Sequence, residues 1–267
     1  MRDSQYQTLP APGHGVAHHY GSGVKLLSQP WAMSLLTELC RPETTQPRFN
    51  QLLTMLFDWM LPEIVGRELT KRRVRRSTRM PQGVYEGEIV DPSQGVVVAA
   101  MARGGIPPAQ RFYDGLNQLL DPSGVRQDHL FMARKTDSSG HVVGVDVSGS
   151  KLGGGVQDAT LLIPDPMGAT GGSIVETLRI YRDQVQGTPR RLVCAHLIVT
   201  PEYLKRVLGE FPDARIYAVR LDRGLSSPQA LAAAPGKLWD QEKGLDDHDY
   251  IVPGAGGLGE LMNNAWV

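Results

Sequence analysis

Residues 160–181 constrain the fold more than any other stretch. Thr160-Leu161-Leu162-Ile163 is a short apolar run of the kind buried on both faces of a parallel sheet. It runs into Asp165-Pro166-Met167-Gly168-Ala169-Thr170-Gly171-Gly172-Ser173, after which Ile174, Leu178 and Tyr181 keep helical spacing. A strand that opens through a Gly-rich loop into a helix is the building unit of α/β folds. The pattern recurs along the chain. Residues 96–100 form an apolar run ending at Arg103-Gly104-Gly105, followed by a helix through Phe112, Leu116 and Leu119. Residues 129–133, 192–199 and 216–221 read as further strands. The expected fold is α/β, a mostly parallel twisted sheet flanked by helices, with a small hood or arm.

The N-terminal part reads differently. Residues 1–23, rich in Gly, His, Pro and Ser, are expected to be an irregular arm, with one domain spanning 24–267. Residues 30–40 predict a helix with Trp31, Leu35, Leu36 and Leu39 on one side, and a turn follows at 41–45. Phe49, Leu52, Leu53, Leu56, Phe57, Met60, Leu61, Ile64 and Val65 predict a second helix, with Pro62 as the place for a kink. Arg67, Lys71, Arg72, Arg73, Arg75, Arg76 and Arg79 then stand against one acid, Glu68. A solvated arm or helix end is the expectation; a phosphate or RNA contact is the alternative, without the interleaved aromatics that would favour it. A polar, Ala/Pro-rich insertion at 226–248 precedes Tyr250-Ile251-Val252-Pro253-Gly254.

Charge and composition exclude several classes. The 267 residues carry 28 Lys+Arg and 28 Asp+Glu, so neither a globally basic nucleic-acid binder nor an acidic tail protein is expected. Hydrophobic residues at 41% and charged residues at 21% suit a soluble globular domain. No apolar run is long enough to span a membrane, and the first residues lack the apolar core of a signal peptide. Two cysteines, Cys40 and Cys194, make no disulfide framework, so a reducing, cytoplasmic setting is expected.

The loop at 165–173 carries the chemistry. It leaves a buried strand and enters a helix, which places it at the carboxyl edge of the sheet, where open α/β sheets bind ligands. Glycines 168, 171 and 172 expose backbone N–H groups, Thr170 and Ser173 add hydroxyls, and the helix N-terminus adds partial positive charge. These make a cradle for one phosphate. Asp165 beside it suits sugar hydroxyls, a metal or a cation developing on a substrate. A turn that merely links strand to helix is the bland alternative, but an acid, a Thr, paired glycines and a Ser in one such loop favour the phosphate. No Lys precedes the Ser or Thr as in a Walker loop, and GxGxxG is absent.

Asp165-Pro166-Met167-Gly168-Ala169-Thr170-Gly171-Gly172-Ser173 resembles the 5-phosphoribosyl-1-pyrophosphate (PRPP) loop of uracil phosphoribosyltransferases, which usually have Leu at the place of Gly168. Arg103-Gly104-Gly105 resembles that family's Arg-Ala-Gly turn, and Arg134 its Tyr-Arg. Ile216-Tyr217 with Asp222 resembles the strand before its base site, and residues 250–254 its C-terminal base-binding segment. The likeness covers most of the chain from about residue 20. It implies a type I phosphoribosyltransferase fold and a transferase that makes UMP and pyrophosphate from uracil and PRPP, in pyrimidine salvage. It further implies Mg²⁺ carried with PRPP and a homodimer or higher oligomer, with no membrane or nucleic-acid partner.

By the same resemblance Asp165 and Arg103 are the expected catalytic residues. Arg103, Arg134, Asp165, Pro166, Met167, Gly168, Ala169, Thr170, Gly171, Gly172 and Ser173 are expected to bind PRPP. Ile251, Gly256, Gly257 and Leu258 are expected to bind the base. The family continues Pro-Gly with Leu-Gly-Asp-Ala-Gly-Asp, whereas this chain has Ala255-Gly256-Gly257-Leu258-Gly259-Glu260. In the family the first of those acids lies where base and ribose meet. Its replacement by Gly257, and an insertion expected in the hood over the base, leave open a different acceptor or a PRPP- or nucleotide-binding regulatory paralogue with an RNA contact through the 67–79 basic run. His196, in an apolar strand, is expected to be a satisfied core histidine, and Trp239 and Trp266 to be packing residues. The other histidines show no metal-ligand spacing.

Overall fold

The computed structural model describes residues 15–136 and 142–266. In chain order the elements are β1 (Val24–Leu26), α1 (Pro30–Leu39), α2 (Arg48–Glu68), β2 (Lys71–Ser77), β3 (Val84–Val90) and β4 (Val96–Ala102). They continue with α3 (Ile106–Asn117), β5 (Val125–Thr136), β6 (Val142–Lys151), β7 (Thr160–Pro164), β8 (Met167–Gly168) and α4 (Gly172–Gln184). The last are β9 (Arg191–Val199), α5 (Pro201–Glu210), β10 (Arg215–Leu221), α6 (Pro228–Ala232) and α7 (Leu258–Asn263).

The central sheet runs β1-β10-β9-β7-β4-β5-β6, with β8 on β9, and every pairing is parallel except β5 with β6. The expected α/β class is therefore the observed one. Alternation along β4 feeds both sides of the sheet. Val96, Val98 and Ala100 pack with Leu36, Leu52, Phe57 and Phe112 of α1, α2 and α3. Val97, Ala99 and Met101 pack with Ile174, Leu178, Tyr203 and Leu204 of α4 and α5. With both faces covered, β7 is buried over its whole length, and its sequence reads as a continuous apolar run for that reason. The α2 helix buries the expected stripe, and Phe57 meets Phe112 edge-on at 5.8 Å. It continues through Pro62, which lies on the exposed face, where water can reach the carbonyl that the proline leaves unbonded.

Several expectations change. The solvated arm expected in the basic run is a β-ribbon: Arg67 lies in the last turn of α2, and Lys71–Ser77 is an exposed strand paired antiparallel with Val84–Val90. Its charges are partly met by Arg73–Glu86 and Arg72–Asp91 pairs at 3.6 Å. The β6 strand, in which Val145 and Val147 alternate with Gly144, Asp146 and Ser148, pairs antiparallel with β5 and extends that strand to Thr136. Leu119 falls beyond α3 and is 45% exposed, and Trp31 turns outward, 46% exposed, beside Trp59. Trp239 packs as expected, edge-on to Tyr20 at 4.9 Å, with its indole N–H donating to the Pro201 carbonyl. Trp266 does not, being 71% exposed. Of the expected irregular arm, residues 15–23 contain no helix or strand, and 1–14 lie outside the described residues. No helix among the described residues is long and apolar enough to cross a membrane.

Candidate active site

A cavity of about 730 Å³ opens at the carboxyl ends of β4 and β7. One wall is residues 101–105 from the end of β4, the floor is Asp165, Pro166, Met167, Ala169 and Ser173, and the far wall is 249–251 with 256–260. Adjacent strands thus bring Arg103 and Asp165 to one place: a Cβ on Gly104 would lie 3.5 Å from an Asp165 carboxylate oxygen. A smaller opening of about 40 Å³ adjoins the cavity, lined by Asp165, Met167, Ala169, Thr170, Gly171, Gly172 and Ser173.

That opening is built by the start of α4. Gly171, the residue before the helix, has φ +77, a left-handed conformation that L side chains rarely adopt. It lets the chain turn sharply enough for Ser173 and the N–H groups of the first helical turn to face the opening, while Thr170 Oγ1 accepts from the Gly172 N–H at 3.4 Å. Gly168, expected to bind PRPP, also meets a packing constraint. It lies in β8 against β9, outside the lining of either opening, and a Cβ there would come 2.9 Å from both the Tyr203 ring and Val199. The Tyr203 ring fills the space where a larger side chain would go.

The loop is held from beneath by Thr200, which the sequence did not point to, and by His196. Thr200 donates its hydroxyl to the Ala169 carbonyl at 2.7 Å and its N–H to the Gly168 carbonyl at 3.1 Å. The same hydroxyl caps α5 by accepting from the Tyr203 N–H. His196 lies fully buried under Asp165, with Nδ1 2.6 Å from the Asp165 carbonyl and Nε2 2.6 Å from the Tyr203 hydroxyl. A carbonyl only accepts, so Nδ1 carries the proton and Nε2 accepts from Tyr203. Burial pushes the His196 pKa down to about 4, so the ring is neutral. His196 is a satisfied core histidine, as expected, and its partner is the backbone of Asp165.

Arg103 and the C-terminal segment meet across the cavity. Arg103 donates from Nη1 to the Ala265 carbonyl at 2.9 Å and from Nη2 to Glu260 Oε1 at 3.4 Å. Behind the far wall, Asp222 is buried and takes a two-pronged contact from Arg220 at 2.6 and 2.7 Å. Asp222 also accepts from the Gly254 N–H, and Arg220 donates to the Gly254 carbonyl. Both backbone groups of Gly254 are thereby fixed at the start of the turn that carries Gly256, Gly257 and Leu258 into the cavity wall. Ile251, also expected there, is 8% exposed and lines it.

Arg134 sits on β5 opposite Val145, and its side chain lies outside the described residues. The insertion, expected in the hood over the base, supplies no residue of 226–248 to the lining of this cavity. It is drawn instead toward the N-terminal segment, because the buried Glu242 carboxylate accepts from Tyr20, Arg223 and the Gly236 N–H. The lining residues that sequence reasoning left out are mostly hydrophobic or backbone-presenting, such as Met101, Ala102 and Met132, together with Asp249 and Glu260.

The comparisons with known proteins agree with this geometry. The sequence model of the family described as uracil phosphoribosyltransferase matches residues 26–237. The uracil phosphoribosyltransferase of Pyrobaculum arsenaticum is 30% identical over 241 residues, covering 89% of this chain and 97% of its own. That of Thermococcus sibiricus is 26% identical over 233 residues, covering 86% and 85%. Among solved structures, the AQ2163 protein of Aquifex aeolicus superposes with a TM-score of 0.68 at 20% identity, over 91% of this chain and 99% of that one, a likeness of fold. The chain belongs to the uracil phosphoribosyltransferase family and is an enzyme of the pentosyltransferase class.

Proposed function

We propose that the protein transfers phosphoribose from PRPP to a ring nitrogen of a pyrimidine-type base, uracil being the first candidate, with release of pyrophosphate. The observation that carries this reading is the convergence of Asp165, Arg103 and the α4 phosphate cradle on one cavity whose far wall is the 249–260 segment. In this reading the N–H groups and hydroxyls of 169–173 hold the 5-phosphate. Asp165 holds ribose hydroxyls and stabilises the positive charge of an oxocarbenium-like transition state. Arg103 takes pyrophosphate, since a guanidinium fork matches phosphate oxygens. Pyrophosphate must then win Arg103 from Glu260 and the Ala265 carbonyl. The backbone of Ile251 and of 256–258 reads the base edge. The base nitrogen forms its bond to C1 as the C1–O bond to pyrophosphate breaks and the electron pair leaves with the pyrophosphate.

No cluster of three or more His, Cys, Asp or Glu among the described residues could hold a metal unaided. Mg²⁺ carried with PRPP, on phosphate oxygens and water, belongs to this proposal. A homodimer or higher homo-oligomer in the cytoplasm belongs to the same proposal. A different acceptor heterocycle is the second reading, and Gly257 with Glu260 favours it, because these residues change the wall that faces the base. The test is incubation with Mg-PRPP and a panel of bases, following pyrophosphate. Base-dependent release supports the transferase; folded protein that releases none with any base contradicts it.

A further inference from the structure

Three carboxylates line the cavity: Asp165, Asp249 and Glu260. Asp165 stands at the phosphate end. At the base end, Glu260 Oε1 faces Arg103 Nη2 at 3.4 Å, while Oε2 accepts from no group among the described residues. The position of Oε2 is set by an absence one turn earlier. A Cβ built on Gly257 would fall onto Oε2 and come within 3.1 Å of the Glu260 carboxylate carbon. Gly257 has φ −79, which any residue adopts, so the backbone does not demand glycine there. Room for the Glu260 carboxylate is what the glycine supplies. A capping role would leave a different trace. Gly257 precedes α7 and Glu260 is the third residue of that helix, the spacing of a capping box, yet the Gly257 N–H does not donate to Glu260.

We infer that Glu260 Oε2 accepts the ring N–H of the acceptor base and takes its proton during transfer, from the space that a side chain at 257 would otherwise occupy. The inference rests on the transferase reading above and names the acceptor class: a heterocycle bearing N–H at the reacting nitrogen. The step balances. The nitrogen lone pair bonds to C1 of phosphoribose, the C1–O bond breaks with its electron pair leaving on pyrophosphate, and the N–H proton passes to Glu260 Oε2 and on to water. Pyrophosphate draws Arg103 away from the other carboxylate oxygen, which leaves the Glu260 carboxylate to the acceptor base.

Glu260→Gln separates this role from a structural one. Glutamine keeps the third-residue position in α7, the shape of the side chain and an oxygen for Arg103, but takes no proton. Pyrophosphate release with Mg-PRPP and the base panel is followed against pH for the wild type, Glu260→Gln, Asp249→Asn and the exchange variant Gly257→Asp/Glu260→Ala, with PRPP affinity from calorimetry. The expected result is a kcat lower by about 100-fold or more in Glu260→Gln. The part of the acid-side fall in rate that belongs to Glu260 disappears, leaving that of Asp165, and PRPP affinity is not lowered. The exchange variant, which returns a carboxylate to the same space from position 257, recovers part of the rate together with that acid-side fall. Wild-type kcat and pH profile in Glu260→Gln overturn the inference, as does a loss of the acid-side fall in Asp249→Asn instead. A wild type that releases no pyrophosphate with any base overturns the transferase reading itself, so the two failures are distinct.

Discussion

Asp165 is fixed through its backbone, leaving the carboxylate to face the cavity. Its N–H donates to the Ala195 carbonyl and its own carbonyl accepts from His196. Asp165→Asn keeps those bonds and removes the charge aimed at the sugar. It should fold normally, bind PRPP and lose roughly 10²–10³-fold in kcat, the usual cost of deleting one preorganised electrostatic group. Wild-type kcat in steady-state assays would remove Asp165 from the mechanism. Gly168 makes a prediction about packing. Leucine there must displace the Tyr203 ring or Val199, each 2.9 Å from the added Cβ, at a cost of roughly 1–3 kcal/mol. A melt should show Tm lower by several degrees, at roughly 2–4 °C per kcal/mol for a chain of this size; an unchanged Tm contradicts the packing account. The loop itself was legible in the sequence because acid, glycines and hydroxyls fall together there. The reason for glycine at 168 was not, because it depends on Tyr203, 35 positions away in sequence. Glu260 was legible only as a departure from the family pattern; its meeting with Arg103 and Gly257 exists only once α7 crosses the end of β4.

The β7–α4 unit shows how an element start becomes a binding surface. Gly171 combines φ +77 with close contacts, its Cβ position lying 3.2 Å from Val207 and 3.4 Å from the Tyr203 carbonyl. Gly171→Val therefore faces both an unfavourable conformation and a filled space. Calorimetry should find Mg-PRPP binding lost in a variant that still folds; unchanged affinity in the folded variant would separate the cradle from PRPP. Strands β4, β7 and β9 were readable as unbroken apolar runs because both of their faces are covered. The β6 strand was not, because Gly144, Ser148 and Gly149 interrupt an otherwise alternating pattern and its partner strand decides the matter. The basic strand β2 shows the same limit: charge filled nearly every position, so period carried no signal, and pairing with β3 made the strand.

Across the molecule, stability and site geometry meet at His196. Its pKa is about 4 in the folded protein against 6.5 unfolded. The folded value is depressed, so the contribution is fully present above pH 6.5 and is lost as pH falls toward 4, where the unfolded chain binds a proton that the folded chain refuses. The loss amounts to roughly 3 kcal/mol by the low end of that window. Urea unfolding should show the wild type losing more stability than His196→Gln between those pH values; parallel losses would mean that the buried ring is not the titrating group.

The sheet order, the cradle and the Arg103–Glu260 meeting all rest on one claim, that this cavity moves phosphoribose from PRPP to a base nitrogen. Phosphorus NMR of the wild-type protein with Mg-PRPP, with and without each base of the panel, tests it most directly. The account predicts that PRPP resonances are replaced by those of pyrophosphate and a nucleoside 5′-monophosphate only when an accepted base is present. PRPP that persists unchanged with every base, in the presence of folded protein, would contradict it.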